Sequence, residues 1–318
     1  MVSDGGDLDQ TAARVVWYYY IGNLTQQDIA DRLGLTRLRV NRIIGQARAE
    51  GAVHIELRMP LAECVSLAAS LVARYGLQEA AVVPALPDRM DQRRVIGEEV
   101  ARMLRPLLAE GVSLGIGWGR TLRAALTSLP RQTLARSRVV SLMGGLTRGS
   151  GINTFEVATQ FADTIGAECW YLTAPLYCPT EAIRDALLTH GELAKVIATA
   201  RAVQVALVTC GDTSEDSLLA STPLVLPMQA ELREAGAVGD LLGCMLDRQG
   251  QPVAHDLNRR VLALTPQELR TRPVSIMASG GLHKLAILRA VLRGGYVNRL
   301  VTDEACARAL LEEEGESP

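Results

Sequence analysis

The sequence predicts an α/β protein in which a short helical segment precedes a larger, doubly wound and mostly parallel sheet. Helical patterns fill the chain up to about residue 50, with no sustained alternation of apolar and polar residues. From residue 80 onward, apolar runs rich in β-branched residues alternate with amphipathic helical stretches. Strands separated by helices of this length imply a parallel sheet covered on both faces. A length of 318 residues fits two domains, which we place at residues 1–58 and 59–318.

The composition is that of a folded protein with little excess charge. Hydrophobic residues make up 48% of the chain and charged residues 21%, which supplies a large core and excludes a disordered chain. The net charge of −2 excludes a globally basic nucleic-acid coat but leaves room for a local basic element. No run of about 18 uncharged apolar residues occurs, and the first ten residues are polar and acidic, unlike a signal peptide. We therefore expect a cytoplasmic protein with no membrane partner.

Motifs for metals and cofactors are missing from the sequence. The six cysteines lie far apart without C-x-x-C spacing, so neither a zinc site nor a disulfide framework is indicated. No G-x-x-x-x-G-K-[ST] occurs, and the G-x-G-x-G of residues 115–119 lacks the third glycine of the dinucleotide fingerprint. The sequence therefore predicts no cofactor and no metal.

Three helices are predicted near the start of the chain. The first spans residues 12–21 and is apolar and aromatic. The second begins after Thr25, a favourable N-cap residue, and runs to about Leu33. The third begins after Thr36, a second N-cap residue, and runs to Ala49.

The second and third helices have the spacing of a helix-turn-helix. Two helices that cross tightly need a small residue, a glycine at the turn and a branched residue beyond it, and Ala30, Gly34 and Val40 meet this pattern. The third helix buries one stripe, formed by Val40, Ile43, Ile44 and Ala47. Residues 36–49 contain four arginines and no acid, so this helix is basic within an acidic protein. An ordinary three-helix bundle with a solvated arginine face is the alternative.

The helix-turn-helix predicts double-stranded operator DNA as a partner. The N-terminal part of the third helix is expected to read the major groove, through Thr36, Arg37, Arg39, Asn41 and Arg42. Gln26 and Gln27, at the start of the second helix, are expected to contact phosphates.

The rest of the chain reads as alternating strands and helices. Residues 53–57 alternate like a short strand, Pro60 marks a boundary, and a connecting helix follows at 61–75. Strands are then predicted at 80–83, 112–116, 138–143, 169–172, 203–208, 274–277 and 297–301. Helices are predicted at 93–108, 121–129, 153–165, before residue 201, at 282–292 and at 304–311. Residues 213–272 are expected to hold an insertion with some antiparallel strand.

Four of the predicted strands end in loops of small or phosphate-friendly residues, at 115–121, 144–147, 209–212 and 279–284. Because the carboxyl ends of parallel strands share one edge, these loops can meet in a single crevice. Lys284, one of only two lysines in the chain, suits an anionic group there. The residues predicted to bind an effector are Gly117, Gly119, Thr121, Gly144, Gly145, Thr147, Asp240, Gly280, Gly281 and Lys284. The alternative is that the glycines only form tight turns.

Asp240 is an acid inside the apolar, glycine-bounded run at residues 236–243. A buried carboxylate needs partners, and the hydroxyls of a sugar are suitable ones. A cap or turn aspartate is the other interpretation of this residue.

Several segments together resemble the SorC family of bacterial transcriptional regulators with sugar-binding domains. They are LTQQDIADRLGLTRLRVNRII, GIGWGRTL, GAVGDLLGCMLDRQG and ASGGLHKLAILRAVLRGGYVNRLVTDEACARALL. The resemblance implies an N-terminal helix-turn-helix and an effector domain similar to sugar-phosphate isomerase and acyl-CoA-transferase-like folds. It also implies a homo-oligomer, typically a tetramer, and a sugar, sugar-alcohol or sugar-phosphate effector. Many members have G-G-T where this chain has Gly144-Gly145-Leu146, which leaves room for an unphosphorylated polyol, as in an erythritol-responsive branch.

The sequence therefore predicts a regulator of a carbohydrate or sugar-alcohol catabolic operon rather than an enzyme. One rival is a sugar-phosphate isomerase-like enzyme with an appended DNA-binding domain, for which Asp240 and His283 are the best acid/base pair in the chain. The other is an architectural DNA-binding protein with no effector.

Overall fold

The computed structural model describes residues 5–53, 61–146, 154–214, 217–220 and 222–312. The chain divides into two compact units, Met1–Met59 and Pro60–Pro318. Each unit has a hydrophobic core of its own. In the part of the chain that is described, no helix is long and apolar enough to cross a membrane. Four of the five residues of the strand expected at 53–57 lie outside the described ranges.

Residues 5–53, the described part of the N-terminal unit, hold three helices: α1 (Gly5–Tyr20), α2 (Gln26–Leu33) and α3 (Arg37–Ala49). Thr25 and Asp28 form a reciprocal capping box at the start of α2, which satisfies two backbone N–H groups that the helix leaves open. The Thr36 hydroxyl accepts a hydrogen bond from the N–H of Arg39 at 3.2 Å. The ends predicted for α2 and α3 are confirmed.

Gly34 makes the turn between α2 and α3. Its φ of +65° lies in the left-handed region, which an L-residue with a Cβ enters only at a cost, and its N–H donates to the carbonyl of Ala30. The turn brings the two helices together over a small core of Val15, Ile29, Ala30, Val40 and Ile44. Ile43, predicted to be buried, is only partly so.

The described residues of the C-terminal unit form ten strands. In chain order they are β1 (Glu79–Val83), β2 (Ser113–Ile116), β3 (Arg138–Ser141), β4 (Glu168–Trp170), β5 (Val205–Val208), β6 (Cys210–Asp212), β7 (Gly239–Leu241), β8 (Cys244–Leu246), β9 (Val274–Ala278) and β10 (Arg299–Asp303). Seven of them form a parallel sheet in the order β1-β10-β9-β5-β2-β3-β4. The other three, β6, β7 and β8, form a small antiparallel sheet. The parallel sheet and the antiparallel insertion are confirmed.

Eleven further helices are described. They are α4 (Ala62–Tyr75), α5 (Arg89–Leu104), α6 (Arg120–Leu126), α7 (Thr154–Ile165), α8 (Glu181–Thr189), α9 (Gly191–Arg201), α10 (Gln229–Glu234), α11 (Asp256–Arg259), α12 (Pro266–Arg270), α13 (Leu285–Arg293) and α14 (Glu304–Leu311). Helix α5 begins four residues earlier than predicted because Asp88 caps it. Its last predicted turn is a short 3-10 helix that contains a proline, and a proline inside a helix removes a backbone donor.

The central strand β5 shows how the sheet is covered. All four of its residues are buried. Val205 and Leu207 belong to the apolar cluster on one face, whereas Ala206 and Val208 belong to the cluster on the other. Side chains of a strand alternate between faces, so the sheet has a core on each side, as the doubly wound prediction requires.

The order of the strands reverses between β2 and β5. The chain lays down β2, β3 and β4 outward in one direction, and β5 then returns to the other side of β2 and is followed outward by β9 and β10. In sheets of this kind a crevice opens at the carboxyl ends of the strands where the order reverses. The fold thus predicts a binding site after β2 and β5.

Candidate functional site

A cleft with a cavity volume of about 60 Å³ lies at this point of the C-terminal unit. It is lined by the loop after β2, the segment after β5 that includes β6, residues 217–219, Asp240 of β7, and the loop after β9.

The two central strand ends are tied to each other. The Thr209 hydroxyl, after β5, donates to the carbonyl of Trp118, after β2, at 2.7 Å. Gly119 has a φ of +135°, and a Cβ added there would lie 2.8 Å from the Thr209 hydroxyl oxygen. A glycine is therefore required at 119 by both conformation and space. Thr121, in the first turn of α6, is buried and lines the same wall.

Asp240 is a buried carboxylic acid of the cleft wall. Its side chain accepts a hydrogen bond from the N–H of Gly243 at 3.0 Å, and Gly211 stands opposite it on β6. A Cβ on Gly211 would come within 2.2 Å of Asp240 Oδ1, so the glycine makes room for the carboxyl group. Burial raises the pKa of Asp240 to about 7, against the opposing effects of the Gly243 N–H and Lys284. At neutral pH this carboxyl group can both donate and accept hydrogen bonds.

Lys284 faces the same cleft. Its ammonium group donates to the carbonyl of Cys210 at 2.9 Å, and Cys210 Sγ lies 3.2 Å from the hydroxyl of Ser279. Two glycines, Gly280 and Gly281, precede the lysine in its loop but do not line the cleft. They shape the loop, since the N–H of Gly281 donates to a buried aspartate.

A histidine and a second aspartate complete this end of the cleft. His283 Nε2 lies 3.8 Å from Asp212 Oδ2, and Asp212 is buried. Burial lowers the pKa of His283, and nearby positive charges lower it further against the opposing effect of Asp212. The imidazole is therefore uncharged at neutral pH. In the structure His283 faces Asp212. The acid/base pair that the sequence suggests is His283 with Asp240, a different aspartate.

Two arginines of α5 also line the cleft, Arg89 and Arg93. Both carry positive charge close enough to His283 to lower its pKa. The sequence did not indicate these two arginines, because they lie far along the chain from the glycine loops. One signal was available: α5 follows β1, and a helix that follows a parallel strand begins at the edge where all the strand ends meet.

The structure therefore brings together some of the predicted effector residues and not others. Gly119, Thr121, Asp240 and Lys284 line the cleft, and Gly117 lies just behind it, donating its N–H to the carbonyl of Leu207.

The described part of the loop after β3, residues 142–146, does not line the cleft. Gly144 donates to the carbonyl of Leu262 and Gly145 to that of Ala174, each at 2.9 Å. A Cβ on Gly144 would lie 2.6 Å from the Ala174 carbonyl oxygen, so close packing of two backbones accounts for this glycine. Thr147 lies outside the described residues.

The predicted DNA-binding residues lie at the start of α2 and in the first half of α3 with its cap. The five on α3 and at its cap are exposed: Thr36, Arg37, Arg39, Asn41 and Arg42. Gln26, at the start of α2, donates to the side-chain oxygen of Asn41 at 3.4 Å, so the beginnings of α2 and α3 are adjacent. Gln27 is exposed and donates to Asp31 at 2.9 Å. This is the arrangement in which the second helix of a helix-turn-helix is presented to DNA.

Comparisons with known proteins match both units. The family model described as "Putative sugar-binding domain" matches residues 59–312, and the model for "Sigma-70, region 4" matches residues 6–50. The erythritol catabolism regulatory protein EryD of Brucella abortus is 30% identical over 95% of this chain and 96% of its own length. The transcriptional regulator LsrR of Klebsiella pneumoniae is 32% identical over 95% and 93%. This chain belongs to the SorC family of transcriptional regulators.

Solved structures agree with the family assignment. The full-length sorbitol operon regulator SorC of Klebsiella pneumoniae has a TM-score of 0.73 and 24% identity, covering 96% of this chain and 100% of that one, which shows the fold. A sugar-binding domain of a transcriptional repressor from Vibrio fischeri has a TM-score of 0.70 and 26% identity, covering 78% and 98%. This SorC-family chain is thus a transcriptional regulator with an N-terminal helix-turn-helix and a C-terminal sugar-binding domain.

Proposed function

We propose that this regulator controls a carbohydrate or sugar-alcohol catabolic operon and responds to a small polyhydroxylated effector that carries an anionic group. The observation that supports this most directly is the composition of the cleft where the strand order reverses. It combines buried carboxyl groups with a cluster of cations, and these are partners for hydroxyl groups and for a phosphate or carboxylate. The chain acts as a regulator and not as an enzyme.

The carboxyl groups support a polyhydroxylated ligand. Asp212 and Asp240 are buried beside the cleft, and a carboxylate can accept hydrogen bonds from two neighbouring hydroxyls. Asp240, with a pKa of about 7, can also donate one. EryD carries erythritol catabolism in its name, which supports a sugar alcohol or its phosphate as the effector of this chain.

The cations support an anionic group on that ligand. Four basic side chains line the cleft, from Arg89, Arg93, Arg120 and Lys284. Guanidinium and ammonium groups donate strong hydrogen bonds to a phosphate or carboxylate, so we expect a phosphorylated ligand to bind more tightly than its free parent.

On the DNA side, we propose that Thr36, Arg37, Arg39, Asn41 and Arg42 enter the major groove and that Gln26 and Gln27 contact phosphates. We further propose that the protein works in the cytoplasm as a homo-oligomer. Dyads in such an oligomer would make the operator palindromic.

The effector is testable with a thermal-shift screen of the full chain against sugars, sugar alcohols and their phosphates. A ligand at about 100 times its Kd stabilises the folded state by about 2.7 kcal/mol, which raises Tm by roughly 5 °C for a domain of this size. We expect phosphorylated polyols to raise Tm more than the free polyols. If only free polyols raise Tm, the effector carries no anionic group. If no compound of the panel raises Tm, the proposed function is contradicted.

The role of Lys284 is tested by Lys284→Ala. Loss of the ammonium charge should reduce the affinity for the phosphorylated ligand at least about tenfold, since hydrogen bonds to charged groups contribute about 1.5–3 kcal/mol each. The only other lysine provides a matched control: Lys195 lies on α9 and pairs with Glu192 at 2.8 Å. Lys195→Ala should leave the ligand-induced shift unchanged. Equal shifts in the two variants would exclude Lys284 from the site.

Arg42→Ala tests the DNA interface. Each phosphate neutralised by a side chain contributes about one unit to the slope of log affinity against log salt concentration. On a labelled 25-base-pair duplex of random sequence no base is recognised, and Arg42 can contribute only by neutralising a phosphate. Arg42→Ala should therefore weaken this binding and reduce the slope by about one. Arg131→Ala, an exposed arginine of the C-terminal unit, is the control and should change neither quantity. Unchanged DNA binding in Arg42→Ala would place the interface elsewhere.

A further inference from the structure

We infer that Asp303 is a positioning residue that ties the effector loop at residues 280–284 to α14, and through α14 to α4, the first helix after the DNA-binding unit. The inference rests on the proposed function only for what binds at Lys284. The contacts that form the link are present whatever the ligand is.

Asp303 joins two elements with one carboxylate. It is the last residue of β10, is 2% exposed, and caps α14. Oδ2 accepts a hydrogen bond from the N–H of Gly281 at 2.6 Å. Oδ1 accepts from the N–H of Cys306, in the first turn of α14, at 2.9 Å. An ordinary helix cap would bond only within its own helix, so the bond to Gly281 calls for a separate explanation.

The loop is packed tightly against this carboxylate. A Cβ added at Gly280 would come within 2.2 Å of Asp303 Oδ2 and 2.5 Å of Ile96 Cδ1. The carbonyl of Gly281 in turn accepts the N–H of Lys284 at 2.9 Å. The Gly281 residue therefore bonds to Asp303 on one side and to the backbone of the effector lysine on the other. A change in the position of Lys284 is transmitted to Asp303 through two hydrogen bonds.

Helix α14 is attached to both ends of α4. Arg308 of α14 forms ion pairs with Glu63, in the first turn of α4, and with Glu304. The hydroxyl of Tyr75, the last residue of α4, donates to the carbonyl of Leu310 at 2.9 Å. Cys64 is buried at the start of α4 and its pKa is raised, first by burial and then by Glu304. The first turn of α14, which Asp303 caps, thus lies beside the first turn of α4.

Helix α4 follows the DNA-binding unit along the chain, so a link from the loop at residues 280–284 to α4 can bear on DNA binding. The N-terminal unit ends at Met59 and α4 begins at Ala62, so α4 is the next described helix along the chain after α3. Coupling between two sites requires a physical element that both of them bias. Asp303 connects α14 and α4 to the loop that holds Lys284, where the effector acts, and the chain that follows the DNA-binding unit enters α4 at its first turn.

Hydrogen exchange on the full chain, with no ligand added, tests whether Asp303 links the loop at residues 280–284 to α14 and α4. In Asp303→Asn the side-chain amide replaces one carboxylate oxygen, so one of the two backbone bonds is lost at nearly constant shape. We expect amide exchange to rise at least about tenfold in residues 279–285 and in the first turns of α14 and α4, while α8 stays unchanged. A rise confined to the loop, or one spread over α8 as well, would overturn the inference.

Asp247→Asn is the matched control. The Asp247 carboxylate also accepts two backbone N–H groups, from Gln249 at 2.9 Å and Gln251 at 2.8 Å, but both belong to its own turn. Its loss should raise exchange only around residues 247–251.

A second variant acts from the opposite end and does not touch the buried carboxylate. Tyr75→Phe removes the hydroxyl that bonds α4 to α14 and should raise exchange in residues 279–285 about two- to threefold. In the Asp303→Asn background the same change should have no further effect on the loop. If Tyr75→Phe leaves the loop unchanged in the wild-type background, or if the two effects multiply, no link through Asp303 exists.

These results separate the inference from the proposed function. A silent ligand panel with an intact exchange pattern contradicts the effector but not the link. A ligand that binds while the exchange pattern fails contradicts the link alone.

Discussion

At the scale of single residues, the protonation of the cleft's titratable groups depends on how far each is shielded from water. Asp240 lies among apolar residues of the β6–β7–β8 region and is 4% exposed. Burial disfavours the ionised form of a carboxyl group, and this is the largest cause of its raised pKa. His283, at the mouth of the same cleft, is held uncharged by its own burial and by neighbouring cations. At neutral pH His283 is therefore uncharged and Asp240 is only partly ionised.

The raised pKa of Asp240 predicts a change of stability with pH. The carboxyl group ionises near its ordinary 3.8 in the unfolded chain and near 7 in the folded one. Its contribution to stability is therefore fully present below about pH 4 and is lost as the pH rises to about 7, by up to about 4 kcal/mol at 1.4 kcal/mol per pKa unit. Asp240→Asn keeps an acceptor for the Gly243 N–H but cannot ionise, so this loss should be missing.

The measurement is the Tm of both proteins by calorimetry between pH 4.5 and 8. Other carboxylates give slopes of their own, so the informative quantity is the difference between the two profiles. We expect Asp240→Asn to gain Tm relative to the wild type as the pH rises, with no further gain above about pH 7.5. Asp247→Asn is the reference for an ordinary turn carboxylate. Parallel profiles for Asp240→Asn and the wild type would mean that Asp240 is ionised throughout.

At the scale of elements, two glycines of the helix-turn-helix allow conformation to be separated from packing. Gly34 at the turn and Gly45 inside α3 both have open space where a Cβ would stand. They differ in backbone conformation, because Gly34 has a φ of +65° and Gly45 lies inside a helix. The same Gly→Ala change should therefore have opposite effects at the two positions.

Gly34→Ala should destabilise the N-terminal unit by about 1–2 kcal/mol, the cost of a left-handed conformation for a residue with a Cβ. Gly45→Ala should stabilise it by about 0.5–1 kcal/mol, since a glycine within a helix loses more backbone entropy on folding. Thermal unfolding followed by helical circular dichroism checks both signs. If both variants are destabilised, contacts rather than backbone conformation decide these positions.

Elements defined by neighbouring residues were predictable from the sequence. The ends of α2 and α3 follow from Thr25, Gly34 and Thr36, whose effects act within four residues. The strand series is visible because buried parallel strands are continuous apolar runs. Helix α5 was predicted to start late because Asp88, its cap, precedes a polar first turn that shows little apolar periodicity.

The cleft was only partly predictable, because it is assembled by topology. Lys284 and Asp240 were found from their unusual local context, an isolated lysine and an acid within an apolar run. Arg93 shows no such contrast in a chain with 31 arginines, and only the strand order brings α5 to the cleft. Gly144 was predicted to bind the effector but instead packs against the backbone of residues 174–175. A glycine after a strand suits close backbone packing as well as ligand binding, and the sequence does not distinguish the two.

At the scale of the whole molecule, the two units have cores of very different size. The N-terminal unit packs a small core around Val15, Ile29 and Val40, whereas the larger unit has extensive clusters on both faces of its sheet. A domain of about 50–60 residues buries too little apolar surface to be more than marginally stable. The candidate cleft lies in the larger unit.

We therefore expect the full chain to unfold in two calorimetric transitions, a small one at lower temperature from the helix-turn-helix and a large one from the sugar-binding unit. Gly34→Ala should lower only the first. A ligand from the panel should raise mainly the second, because a ligand stabilises the unit whose folded form it binds, and it should move the first only by the coupling between the units, typically 1–3 kcal/mol. If one transition responds as a whole to both perturbations, the two units fold as a single cooperative body, and the helix-turn-helix then owes its stability to the sugar-binding unit.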